Sequence, residues 1–355
     1  MGEILGLGIS HYPGFSYSDQ TMGARLTQTL SSPRVPEDLK DPANWPEAMR
    51  AEWSDDQGTA FAARHRAEFR EGAAVVRQAL DHFAPDAVII FGDDQYENFR
   101  EDLVPPFAAG LAPEFRDKPF LRGRPGIADT NFWGLPRDHE FVFPGQPAIG
   151  AALVASLIEN GFDIPYSYRQ HHLEGLSHAF MYTLLYLDYE RTGWSYPVIP
   201  FAVNAYGSSV IRSKGGNAHL FEDVPAYFDP PAPLPWRCFD LGRAIARFVL
   251  STDYRVALVG SSSWSHAFLT AKHNYLYPDV EADQLRFAQL RDGESGKWRS
   301  LTHEEIQASG QHELLNWIPL AGAMAELGRS VPSYARLLET YTMNSSKCFA
   351  VFSAS

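Results

Sequence analysis

Three apolar runs stop at residues able to do chemistry. Residues 4–9 run into Ser10-His11-Tyr12-Pro13, residues 87–91 pass through Gly92 into Asp93-Asp94-Gln95, and residues 256–259 pass through Gly260 into Ser261-Ser262-Ser263-Trp264-Ser265-His266. Each run has the length and composition of a buried strand. In open α/β sheets ligands bind at the carboxyl ends of the strands, so these endings are expected to converge. A fourth candidate, Glu313, lies in a helical run where Leu314, Leu315 and Trp317 make its surroundings apolar. Imidazole and carboxylate together at a cleft are the raw material of a non-haem metal site.

Plainer roles compete for the same residues. Asp93-Asp94 at a strand end suits capping of the following turn, and Glu313 suits a solvated helix face. The chain has twelve histidines, and most histidines are hydrogen-bonded or exposed structural residues. Other motifs fail: Trp264 stands where a nucleophile elbow needs its second glycine. No phosphate-binding loop or dinucleotide fingerprint occurs, and neither cysteine has a partner at zinc-motif spacing.

The elements that must position these residues alternate. Helical spacing is expected over 61–83, 148–160, 178–190, 238–250, 280–290 and 304–327, with further strands at 198–205 and 349–352. That alternation predicts one α/β domain over 1–355, with polar, irregular segments at about 16–56 and 206–230. Forty-three acidic against thirty basic residues give a net charge of −13, which argues against nucleic acid or an anionic membrane surface as partner. Two cysteines among 355 residues make no disulfide framework. No apolar stretch approaches a membrane span, and no leader pattern opens the chain. A cytoplasmic protein is the expectation.

Six motifs in order resemble the class III extradiol dioxygenases, in particular the catalytic subunit of protocatechuate 4,5-dioxygenase and the gallate dioxygenases. They are Ser10-His11-Tyr12-Pro13; the 91–110 segment with Asp94, Asn98-Phe99 and Pro105-Pro106-Phe107; Leu176-Ser177-His178; Pro200-Phe201-Ala202-Val203-Asn204 with Arg237-Cys238-Phe239-Asp240-Leu241-Gly242; Ser263-Trp264-Ser265-His266; and Glu313-Leu314-Leu315-Asn316-Trp317. The resemblance implies a central mixed sheet flanked by helices. It also implies Fe(II) held by two histidines and one carboxylate, with His11 and Glu313 as ligands, and extradiol opening of a catechol-like ring by dioxygen to a muconic semialdehyde type of product. His266 would be the acid/base, and His178 would hydrogen-bond substrate or intermediate. A homo-oligomer is expected, with a separate small helical subunit as a further possible partner. The 16–56 segment would serve as the lid.

One departure stands at the metal. The family's second iron histidine falls at Gln95, a neutral oxygen donor that binds Fe(II) more weakly than imidazole. Gln95 binds the ion directly; or Asp93 or Asp94 turns in and favours a harder ion such as Mn(II) or Mg(II); or the redox metal is lost. Ser177, Ser261 and Ser262 depart from the family pattern as well. Two functions of different class follow: an Fe(II)-dependent ring-cleaving oxygenase with an altered ligand set, or a non-catalytic member acting as partner subunit or phenol binder.

Overall fold

Four strands with almost no polar side chains form the middle of the sheet, and helices on both faces bury them, which is why their sequences read as continuous apolar runs. The structure is a computed structural model that describes residues 1–122, 131–207, 212 and 230–354. These strands are β1 (Glu3–Ile9), β2 (Ala87–Gly92), β7 (Val198–Val203) and β8 (Arg255–Ser261). Between β2 and β7 come β3 (Phe107–Gly110), β4 (Glu114–Asp117), β5 (Phe141–Pro144) and β6 (Tyr166–Ser167), and after β8 come β9 (Tyr334–Leu338) and β10 (Lys347–Phe352). The large sheet has the order β6-β3-β7-β2-β8-β1-β10-β9, while β4 and β5 pair separately. Contacts β7–β2, β2–β8 and β8–β1 are parallel, whereas β3–β7, β1–β10 and β10–β9 are antiparallel. The sheet is mixed, as expected.

The four parallel strands all finish at one edge. Ile9 pairs with Ser261, Phe91 with Gly260 and Gly92 with Ala202, so the polar sequences that follow them emerge side by side. Alternate residues face opposite sides. Ile4, Ile89, Phe91 and Leu258 pack toward the helices Pro147–Glu159, Pro235–Leu250 and Ile318–Glu326, while Leu7, Ile9, Ile90 and Val259 pack toward Thr59–Phe83 and His178–Leu187.

The expected helix over 304–327 is three pieces: His303–Ala308, a 3-10 turn His312–Asn316 and the helix Ile318–Glu326. Gly310, at φ 64°, breaks the first, and Pro319 in the opening turn of the last has no N–H to continue the preceding turn. The break sets Glu313 on a short turn facing the strand ends. The helix expected over 178–190 stops at Leu187. Strand β9 was not expected because its residues, half-buried from Tyr334 to Leu337, carry no apolar run.

Glycine in β1 is what lets the Glu313 turn approach. A Cβ on Gly8 would lie 2.1 Å from Cη2 of Trp317, a fully buried ring whose Nε1 donates to the Ser262 carbonyl at 3.0 Å. Gly8→Ala is expected to cost about 1–3 kcal/mol by overpacking, read as a lowered denaturant midpoint at unchanged slope. An unchanged midpoint would show that Trp317 is free to retreat.

Residues 16–56 form short helices tied to the body. Arg66 binds Asp19 at 2.6 Å and the Tyr17 carbonyl at 2.6 Å, and Glu52 accepts from the Thr342 backbone at 2.8 Å. Trp45, Met49, Trp53 and Leu276 make a satellite core beneath them. Most of the 206–230 segment lies outside the described residues. No helix among the described residues is long and apolar enough to cross a membrane.

Candidate metal centre

The strand endings do converge, and the turn bearing Glu313 closes over them. His11 follows β1, Asp93 and Gln95 follow β2, Tyr206 follows β7, and His266 follows β8. His178 opens the helix His178–Leu187. His11, Asp93 and Glu313 are almost fully buried. His11 Nε2 lies 3.7 Å from Asp93 Oδ1 and 3.5 Å from Glu313 Oε2, His266 Nε2 lies 3.5 Å from Glu313 Oε1, and His178 Nε2 lies 3.9 Å from Asp93 Oδ2.

Each imidazole is turned inward by what its other nitrogen touches. Nδ1 of His11 contacts the Ser261 carbonyl at 3.1 Å, and Nδ1 of His266 the Trp264 carbonyl at 3.1 Å. A carbonyl only accepts, so Nδ1 donates and Nε2 presents a lone pair to the centre. His178 Nδ1 donates to Glu97 Oε2 at 2.8 Å, and its backbone N–H donates to Glu97 Oε1 at 2.9 Å. A second ring nitrogen bonded to carbonyl or carboxylate is the usual support of a metal-ligating histidine.

The carboxylates are held less completely. Asn316 Nδ2 donates to Asp93 Oδ1 at 3.0 Å, and Ser262 Oγ anchors the Glu313 carbonyl at 2.7 Å. Tyr206 OH donates to Glu313 Oε1, but Glu313 Oε2 accepts no hydrogen bond from the described residues. Burial, with Asp93 beside it, pushes Glu313 well above the usual carboxylate range. Asp93 is also buried, yet His178 and His11 override that and hold it low. Burial draws His11 down to about 4, Asp93 partly opposing, and draws His266 down to about 3, with His11 adding to the fall. His178 goes the other way: burial disfavours its charge, but Glu97 first and then Asp93 and Glu313 raise it to about 10. Buried lone pairs facing buried carboxylates, one oxygen of them orphaned, suit a divalent cation.

Of the sequence candidates, His11, His178, His266, Glu313 and Gln95 come together, and Asp94 does not. Its carboxylate caps the turn after β2, accepting from the backbone N–H of Glu97 at 3.0 Å, Asn98 at 2.9 Å and Phe99 at 3.2 Å, and it borders a mainly apolar cavity beside Phe99, Phe115 and Phe180. The pleat that sends Asp93 and Gln95 to one side sends Asp94 to the other. Sequence reasoning did not find Glu97 or Tyr206. Glu97 offered one signal, a carboxylate two residues beyond Gln95; Tyr206 follows a strand end but offered none of metal-ligand type.

The loop carrying His266 is clamped by Asp283, which accepts from Ser265 N–H at 3.0 Å and Gln311 Nε2 at 2.8 Å. Burial pushes Asp283 up to about 7. A carboxyl raised on folding gives stability that is complete below its unfolded value near 4 and is lost as pH rises through its folded value. Asp283→Asn cannot ionise, so relative to wild type it is expected to gain about 2–3 kcal/mol between pH 5 and pH 8. Urea denaturation at both pH values checks this, and a constant difference between the two proteins would refute it.

Residues 227–347 match the family model described as the catalytic LigB subunit of aromatic ring-opening dioxygenase. That segment carries His266 and Glu313. Among curated proteins, the chain is 28% identical over 244 residues to a 2,3-dihydroxyphenylpropionate/2,3-dihydroxicinnamic acid 1,2-dioxygenase of Pseudomonas putida, covering 68% of this chain and 60% of that protein. A namesake from Photorhabdus laumondii is 24% identical over 204 residues, 58% of this chain and 50% of the relative. The chain thus spans about half to three-fifths of the length of these curated relatives. The crystal structure of an uncharacterized Escherichia coli K12 protein superposes with a TM-score of 0.46 at 12% identity, covering 80% of this chain and 92% of that one. The segment 227–347, which brings His266 and Glu313 to the ends of a mixed sheet, is thus similar to the catalytic LigB subunit of aromatic ring-opening dioxygenases.

Proposed function

We propose that the protein opens the ring of a catechol-like aromatic with dioxygen, using a divalent ion, Fe(II) in the first place, with His11 and Glu313 among its ligands. The observation that carries this reading is the convergence of three imidazole Nε2 atoms on two buried carboxylates at the carboxyl edge of the sheet. Held by these residues, such an ion would supply Lewis-acid and redox chemistry at the diol. The protein's own groups do the rest. His266, held neutral by burial, takes the proton that a catechol hydroxyl must lose, and returns it as the ring bond beside the diol breaks and both oxygen atoms enter the product. Glu97 keeps His178 facing the same centre, and Tyr206 fixes the glutamate. The apolar packing around Trp264 and Trp317 keeps bulk water from this side of the centre.

The relatives' printed names point to 2,3-dihydroxyphenylpropionate as a first substrate to try. Protein loaded anaerobically with Fe(II) is expected to consume oxygen with at least one member of a panel of catechol, protocatechuate, gallate and 2,3-dihydroxyphenylpropionate, with a yellow ring-opened product. A second reading, a phenol binder without turnover, is favoured by one observation: the Gln95 amide already donates to both carboxylates. Tight phenol binding with no oxygen uptake across the panel would decide for it.

A further inference from the structure

We infer that Asp93 and His178, rather than Gln95, complete the divalent-cation site with His11 and Glu313, and that Gln95 braces the carboxylates as a hydrogen-bond donor. This rests on the metal-dependent reading above and reassigns His178 from the substrate-binding role that the family resemblance implies.

The orientation of Gln95 is the first observation. Its Nε2 lies 3.2 Å from Asp93 Oδ2, 3.3 Å from Glu313 Oε1, 3.2 Å from the Tyr206 hydroxyl and 3.5 Å from His178 Nε2. An amide nitrogen has no lone pair to give a metal. Flipping the amide would set its carbonyl oxygen against two carboxylate oxygens, an acceptor facing acceptors, so the hydrogen-bond network fixes nitrogen inward. The family's ligand position has become a donor position here.

The replacement ligands are already in reach. Ligand atoms of His11, Asp93 and His178 all lie within 4.8 Å of one another, close to the roughly 3–4.2 Å spread of atoms that share an ion at about 2.1 Å. His11 and His178 each commit Nδ1 to an oxygen acceptor outside the centre, which leaves Nε2 as the inward atom. Independently of this cluster, Glu313 Oε2 is buried, has no hydrogen-bond partner among the described residues and is aimed at His11 Nε2. Two imidazoles and two carboxylates make a set with two negative charges, one more than two histidines and one carboxylate provide. That charge matches a divalent ion and raises the standing of Mn(II) relative to Fe(II).

Mn(II) is the probe, because its binding is read without turnover. Electron paramagnetic resonance titration of the full chain is expected to show one Mn(II) site, weakened about 100-fold or more in Asp93→Asn and in His178→Gln, and less than about 10-fold in Gln95→Leu. Nitrogen modulation of the bound-Mn(II) signal is expected to count two imidazoles in wild type and one in His178→Gln. The wild-type count needs no variant to fold. A site with one imidazole in wild type, or one lost in Gln95→Leu and retained in Asp93→Asn and His178→Gln, would overturn the ligand assignment and leave the metal reading standing. A wild-type chain that binds neither Mn(II) nor Fe(II) would overturn both.

Discussion

His266→Ala is expected to lower oxygen uptake on a catechol by about 10²–10⁴-fold, the span of a lost general acid/base, while Fe(II) content after desalting stays near that of wild type. Three features suit this residue to the proton work proposed for it. Its Nδ1 donates to the Trp264 carbonyl at 3.1 Å, which fixes the tautomer and leaves Nε2 as the basic atom. Its loop is pinned by Ser265 to Asp283 and by Thr270 Oγ1 to the His266 carbonyl at 2.8 Å, so the ring is aimed before substrate arrives. Burial, with His11 adding to it, pulls the imidazole down to about 3, so the base is neutral across the working range. An imidazolium formed in that setting is a strong acid, and return of its proton to a developing alkoxide is downhill. The same depression works against the first proton transfer unless the substrate's negative charge stabilises the cation, so substrate binding must precede it. Loss of Fe(II) in His266→Ala along with activity would instead make the residue a ligand, and full activity would remove it from the mechanism.

Much of this site was readable because strands announce where they end. His11 and the 93–95 triplet follow β1 and β2 directly, and His266 follows β8 by five residues, with no periodicity needed beyond an apolar run that stops. What the sequence left open was the side on which each residue falls. Strand alternation continued past Gly92 puts Asp93 and Gln95 on the face of Phe91 and Ile89, and Asp94 on the face of Ile90. Choosing between those faces requires knowing that the Glu313 turn covers the first of them, a fact of tertiary packing. Glu313 itself was expected on a long helix. Gly310 and Pro319 were visible in the sequence as interruptions, but the close seat of Trp317 on Gly8 that fixes the turn was not. Glu97 and Tyr206 were missed for the same reason: each reaches the centre from a turn whose path depends on contacts distant in sequence, Glu97 with the helix start at His178 and Tyr206 with Glu313.

Glu313→Gln is expected to remove retained Fe(II) and, measured with a chelator present, to make the protein about 1–3 kcal/mol more stable near pH 8. The two effects have one cause. Glu313 is 1% exposed, one of its oxygens lacks a hydrogen-bond partner among the described residues, and burial together with the charge of Asp93 raises its carboxyl well above the ordinary range. Such a group contributes stability that is complete below its unfolded value near 4.3 and is lost as pH rises toward its folded value. Glutamine has the same shape, keeps an oxygen for the Tyr206 hydroxyl and carries no charge, so the advantage of the variant should be small near pH 4 and grow toward pH 8. Adding saturating Fe(II) should reverse the order, because a ligand that binds only the folded wild type stabilises it by RT ln(1 + [L]/Kd), a gain the variant cannot make. Thermal melts with chelator and with Fe(II), at both pH values, measure both effects. A variant that melts below wild type at pH 8 with chelator would show that the glutamate earns its place structurally, through Tyr206 and the turn, and that its unpaired oxygen is not held in reserve for a cation.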